Sequence, residues 1–184
     1  MESNKKITAL ILPGIGSSGS DHWQTLWEKE NPSFLRLEQR DWNYPVCEEW
    51  ITLLEKGVAG VGPQVVLVAH SLGSLLVAHW AARTEFKVKG ALLVAPPDPN
   101  GPCFPKEAKG FSPLPTHPLR FPSIVVSSID DPFGNAEFGE SVALAWGSRF
   151  VNAGAVGHIN SKSGLGAWRE GFALFRQLLS SQVF

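Results

Sequence analysis

The stretch Val65-Val66-Leu67-Val68-Ala69-His70-Ser71-Leu72-Gly73-Ser74-Leu75-Leu76 joins a strand pattern to a helix pattern through one serine. A β-branched apolar run stops at Ser71, with the small residues Ala69 and Gly73 two positions to either side, and an apolar helical pattern follows at once. This is the form of a nucleophile elbow, G-x-S-x-G with alanine at the first glycine position, a turn so sharp that its serine sits in strained backbone geometry. The residues at minus two and plus two are expected to be small because the two arms of the turn nearly touch there. A buried strand, a turn and a core helix with an incidental serine would leave a similar trace. The strand-turn-helix context favours the elbow.

Outward from this point, strands alternate with helices. Strands are predicted over Ile7–Leu12, Leu35–Glu38, Val65–Val68, Gly90–Ala95, Ser123–Ser127 and Arg149–Asn152. Helices are predicted over Asp21–Glu30, Glu48–Lys56, Leu72–Ala82, Ala136–Trp146 and Gly166–Leu179, from apolar residues recurring at helical spacing. Several strands are continuously apolar, as strands buried on both faces are, so a mostly parallel sheet with helices on both faces follows. No repeat or second core is visible, and the expectation is one α/β domain over residues 1–184. Between Pro96 and Pro122 lie nine of the fourteen prolines and few periodic residues, so this stretch must be mostly loop.

Hydrophobic residues make up 43% of the 184 positions and charged residues 18%, with a net charge of −1, which places the chain among well-cored soluble proteins. That balance has no basic run to track a phosphate backbone, so nucleic acid is not an expected partner. The apolar stretches are strand-length, too short to cross a membrane. The start, Met1-Glu2-Ser3-Asn4-Lys5-Lys6, leads into a short apolar run ended by Pro13-Gly14 and does not make a secretory signal. Cys47 and Cys103 lie far apart with no CxxC partner; reduced thiols in a cytoplasm fit best, with one disulfide as the alternative.

A parallel sheet binds ligands beyond the carboxyl ends of its strands. Ser71, the pair Asp130-Asp131 and His158 all follow predicted strands, in the chain order serine, acid, histidine of α/β-hydrolases. A serine hydroxyl is a poor nucleophile at neutral pH and needs a base. His158 would take the Ser71 proton during attack and return it to the leaving group, and an ordinary histidine pKa of about 6.5 suits both tasks. Asp131 would fix the imidazole tautomer and stabilise the imidazolium. It is preferred to Asp130 because it directly precedes the Pro132-Phe133 turn; Asp130 is then a second carboxylate that caps or orients the loop. The oxyanion donors are assigned to the backbone N–H groups of Leu72, just after the nucleophile, and of Ile15, in the turn after the first strand.

The motifs Leu12-Pro13-Gly14, Asp21-His22-Trp23, Val68-Ala69-His70-Ser71-Leu72-Gly73, Asp130-Asp131-Pro132 and Gly157-His158-Ile159-Asn160 together resemble the small bacterial serine hydrolases related to YdeN and retinoblastoma-binding protein 9. The resemblance runs from Ile7 to about Leu179. It implies a compact α/β-hydrolase fold with a minimal lid, Ser71, Asp131 and His158 as the triad, and no cofactor. The binding partner in the relative's name is not expected to transfer. Pro45-Val46-Cys47-Glu48-Glu49 has the Cys-x-Glu of L-x-C-x-E, but proline replaces the leucine and a helix is predicted to begin there.

Other features have competing readings. Gly14-Ile15-Gly16-Ser17-Ser18-Gly19, with Glu38 about twenty residues on, imitates a dinucleotide-binding fingerprint. Yet Gly19 precedes the helix start instead of packing within it, and an oxyanion turn explains the glycines better. His22 and Trp23 are either helix-start core residues or part of the substrate pocket. His70 is expected to point into the sheet packing, His79 to be structural and His117 exposed. No metal-ligand spacing is present. The Pro96–Pro122 loop, with Phe104, Phe111, Leu114 and Phe121, is either a short lid over a small substrate with an apolar acyl part or a surface loop pinned by its aromatics. The function expected is cofactor-independent hydrolysis of a small ester, thioester or amide through an acyl-Ser71 intermediate. The alternatives are a non-catalytic binding or scaffold protein on the same fold and, behind it, a nicotinamide-dependent oxidoreductase. The protein partner, if any, is unknown from sequence.

Overall fold

The computed structural model describes residues 7–180, so the reading of Met1–Lys6 falls outside the described residues. The strands are β1 (Thr8–Leu12), β2 (Phe34–Arg36), β3 (Val65–His70), β4 (Gly90–Val94), β5 (Ser123–Ser127) and β6 (Arg149–Asn152). They form a six-stranded sheet in the order β2-β1-β3-β4-β5-β6. Every neighbouring pair is parallel, so the sheet is parallel throughout and not merely in the main. The helices are α1 (Trp23–Glu30), α2 (Cys47–Val61), α3 (Leu72–Ala81), α4 (Ala136–Trp146) and α5 (Arg169–Ser180).

Alternate residues along a strand face opposite sides of the sheet, and here both sides are covered. Leu10, Leu12, Val65, Leu67, Ala69, Ala91, Leu93 and Val125 pack with α2, α3 and α4. Ala9, Ile11, Val66, Val68, Leu92, Val94, Ile124 and Val126 pack with α1 and α5. That is why the central strands read as unbroken apolar runs. α3 is buried along its whole length and apolar all round, as a helix wedged between a sheet and its neighbours must be.

The strand order reverses between β1 and β3, which makes the crevice beyond their carboxyl ends the natural ligand position. Leu12 lies opposite Ala69 in the parallel register, so the turns that follow, at Gly14 and Ser71, emerge side by side. β5 ends level with β6, Ser127 opposite Asn152, and thus delivers the loops carrying Asp131 and His158 to the same edge.

Three elements differ from their predicted bounds for identifiable reasons. α2 continues past Lys56 to Val61 through Gly57 and Gly60, residues of poor helix propensity. Gly57 is there for closeness, since a Cβ on it would lie 2.7 Å from Leu37 Cδ1, and Val58 beyond it is fully buried. β2 begins at Phe34, whose side chain faces the core while Leu35 is exposed. α5 starts at Arg169, after Trp168 in the left-handed region (φ 34°); its indole lies across the helix start where Gly171 leaves room. A one-turn 3-10 helix at Ser161–Ser163, not anticipated, is closed by reciprocal Asn160 and Ser163 side-chain bonds.

The 96–122 loop is fastened along its length. Phe111 is buried, its ring edge-on to Trp50 at 5.9 Å, and its carbonyl accepts from His79 Nε2. Cys47 N–H donates to Lys109 O, and Trp146 Nε1–H to Pro115 O. Asp98 N–H donates to Phe133 O, which ties the loop's start to the turn after Asp131. Cys47 itself is buried in the first turn of α2, so the Cys-x-Glu segment is helical with its thiol covered. His117 is exposed.

Candidate active site

Ser71 sits between β3 and α3 with φ 55° and ψ −126°, a conformation that costs a non-glycine residue about 1–3 kcal/mol. The turn is held by Ser71 N–H donating to Val94 O (2.9 Å) and Ser74 N–H donating to Ser71 O (2.8 Å). A Cβ at position 73 would meet Leu12 O on β1 at 2.2 Å, so the neighbouring strand by itself requires glycine there. Gly14 is similarly confined: its Cβ would lie 2.7 Å from Ser71 Cβ and 3.2 Å from Leu72 N. The other glycines of the fingerprint-like run are unconfined, with open space where a Cβ would stand on Gly16 and Gly19. Dinucleotide binding would need the third glycine for close helix–strand packing.

Ser71, His158 and Asp131, separated by up to 87 positions in sequence, form one hydrogen-bonded line. His158 Nε2 is 2.9 Å from Ser71 Oγ, and Nδ1 is 2.7 Å from Asp131 Oδ2. A carboxylate only accepts, so Nδ1 carries the proton and Nε2 is free to accept from the serine hydroxyl. The Asp131 carboxylate is fully buried and its second oxygen accepts Phe133 N–H at 2.9 Å. Phe133 packs against the imidazole, ring centroids 4.6 Å apart and ring planes tilted by 52°.

Asp130 points elsewhere. Its Oδ1 accepts from Ser128 Oγ at 2.6 Å and from Gly157 N–H at 2.8 Å, and these two bonds, the serine's first, hold its pKa below the usual carboxylate range. It braces the loop one residue before His158.

Leu72 is the first residue of α3, and its N–H has no intrahelical acceptor. Ile15 follows Gly14 in the adjacent turn; among the described residues nothing accepts its N–H, whereas Gly16 N–H donates to Trp42 O. The turn is braced from outside by residues sequence reasoning missed. Arg36 donates to Ser17 Oγ, Ser18 O and Thr25 Oγ1 and pairs with Glu28, so its guanidinium donors are all engaged. Gln24, fully buried, accepts from Ser18 Oγ and donates to Val68 O, linking the turn to β3. Nothing in the local sequence distinguishes these from ordinary surface or helix residues.

His22 and Trp23 are 4% and 1% exposed, on the core side of the alternative left open above. His22 Nδ1 caps α1 by accepting Gln24 N–H, and Trp23 Nε1–H donates to Ile159 O. Burial, with smaller contributions from Arg36 and His158, lowers the His22 pKa to about 4. His70 is buried as expected but does more than fill the packing, since its Nε2 bonds the His158 carbonyl at 2.8 Å.

A parallel sheet with a strained serine after β3, and an acid and a histidine at the same edge, defines an α/β-hydrolase fold. Residues 9–177 match the serine hydrolase family, and the chain belongs to it. The protein is thus a hydrolase. It is similar to a YdeN-like hydrolase from Pectobacterium atrosepticum, with 27% identity and a TM-score of 0.85 over 95% of this chain and 91% of that one. The ydeN gene product of B. subtilis, at 18% identity and a TM-score of 0.80 over 95% of this chain and 100% of that one, shares the fold. So does a hydrolase of the α/β superfamily from Xanthomonas campestris, at 20% identity and a TM-score of 0.64 over 96% and 99%. No curated protein matches the sequence.

Proposed function

We propose that this protein hydrolyses a small ester, thioester or amide without a cofactor, through an acyl-Ser71 intermediate. The observation that carries the reading is the Ser71–His158–Asp131 line, with bonds of 2.9 and 2.7 Å. Ser71 Oγ attacks the acyl carbon while its proton passes to His158 Nε2, and Asp131 stabilises the imidazolium so formed. The negative charge on the substrate oxygen is met by the N–H groups of Leu72 and Ile15; each such donor is worth about 3–4 kcal/mol in the transition state of related chemistry. The intermediate collapses, the leaving group takes the Nε2 proton, and water then releases the acyl group by the same steps with His158 again as base. Phe133 lies against the His158 imidazole, ring centroids 4.6 Å apart, which supports a substrate with an apolar acyl part. The two free cysteines support the expected cytoplasmic setting.

The test is pre-steady-state hydrolysis of a short-chain p-nitrophenyl ester by the wild-type chain and by Ser71→Ala. A burst of one nitrophenolate per protein, absent from the variant, is the expected result. A burst that survives in Ser71→Ala would remove Ser71 as the nucleophile.

A further inference from the structure

His158 stands at a strained point of its loop, between the Asp130 brace on Gly157 and the turn closed by Asn160 and Ser163. The residue after it, Ile159, has φ 47°, a left-handed conformation that is a genuine outlier for a β-branched side chain. Two successive carbonyls at this strained point are each taken by a buried side-chain donor from a different element. His70 Nε2 lies 2.8 Å from His158 O, and Trp23 Nε1–H donates to Ile159 O at 2.9 Å. A backbone carbonyl only accepts, so His70 carries its proton on Nε2 and is the donor. His70 immediately precedes Ser71, so a single β3–α3 junction carries the serine and also holds the backbone of the histidine that serves it.

On the serine-hydrolase reading above, we infer that His70 and Trp23 are positioning residues that clamp the His158–Ile159 backbone and so set the Nε2-to-Oγ approach. His22, His70 and His158 lie in a row, ring centroids 4.7 and 4.9 Å apart, and His22 meets His70 edge-on, which fixes the orientation of the middle ring. Burial first, then the neighbouring His22 and His158, keeps His70 uncharged well below the usual histidine range. No second cation therefore stands beside His158 when it becomes imidazolium. The clamp touches no substrate and acts only through the position of the base. A displacement of about 1 Å in a reacting group can cost about a hundredfold in rate.

The experiment compares His70→Leu, His70→Gln and Trp23→Phe with the wild-type chain. Glutamine places an amide N–H at about the reach of the imidazole Nε2, and leucine has no donor. The clamp predicts a 10–100-fold fall in kcat for His70→Leu with KM within about twofold, recovery of most of that loss in His70→Gln, and the leucine signature again in Trp23→Phe. A folded His70→Leu with wild-type kcat, or a His70→Gln as slow as the leucine variant, would overturn it. The low-field proton resonance of His158 Nδ1–H, shared with Asp131, reports the same positioning without turnover. It should broaden or shift in His70→Leu and return in His70→Gln; an unchanged resonance would sink the clamp. A wild-type chain that turns over no activated ester would instead defeat the serine-hydrolase reading, and the resonance would still judge the clamp.

Discussion

Two adjacent carboxylates in this molecule have been given different work by what surrounds them. Asp131 is fully buried against His158 Nδ1, while Asp130 is exposed and spends its oxygen on Ser128 and Gly157. Asp131→Asn should lower kcat by on the order of 10⁴-fold, because an amide N–H facing Nδ1 enforces the wrong imidazole tautomer. Asp130→Ala should leave kcat within about tenfold, since it loosens the loop without touching the imidazole; equal losses in the two variants would contradict the division of roles. Asp130 also carries a sign for pH. Its folded pKa is depressed, so its bracing is present above the ordinary carboxylate range and disappears as pH falls through the lowered value. Loop protection of the Gly157 amide in hydrogen exchange should weaken on that acid limb and should not change there in Asp130→Ala.

The elbow shows which parts of an element are written in its own residues. Ser71 between Ala69 and Gly73 after a buried strand is legible as a turn, and the strand-helix alternation gives the parallel sheet, because both follow from patterns within a few residues. The reason for Gly73 is not legible, since the atom it must avoid is Leu12 O, contributed by a strand about sixty positions earlier. The same holds for Gly57, whose neighbour Leu37 lies on another segment of the chain. His158 and Asp131 could be placed because each follows a strand, whereas Arg36, Gln24 and the donor role of His70 depend on pairings across elements that no spacing reveals. Gly73→Ala should destabilise the protein by about 3 kcal/mol in urea unfolding, as overpacking against an immovable backbone does. Gly14→Ala should act on the chemistry as well, because its methyl would press on Ser71 itself, 2.7 Å from Cβ. Loss of kcat together with some loss of stability is the expected outcome, and full activity would show that the turn yields.

At the scale of the molecule, two imidazoles behind the site are held neutral by burial. His22 falls from an ordinary 6.5 to about 4. Between those values the unfolded chain takes up a proton that the folded chain refuses, so stability is complete above 6.5 and declines as pH is lowered toward 4. The decline attributable to His22 is bounded at about 3 kcal/mol, and His70 contributes with the same sign. His22→Asn retains a side-chain acceptor to cap α1 and should flatten that acid limb in denaturant melts run from pH 4 to 7, where each pH unit between the two pKa values is worth about 1.4 kcal/mol. An unchanged pH dependence would mean that His22 is not the group refusing the proton. The thiols divide in the same way, since burial pushes Cys47 up to about 12 while Cys103 is exposed. The native protein should therefore give one thiol to a disulfide reagent at neutral pH and two after unfolding. All of this frames a single serine, and the most direct test addresses it: labelling of the wild-type chain and of Ser71→Ala with a fluorophosphonate, followed by mass mapping. One label per molecule on Ser71, absent from the variant, is the outcome this account requires. A folded wild-type chain that takes no label, or takes it elsewhere, would contradict it.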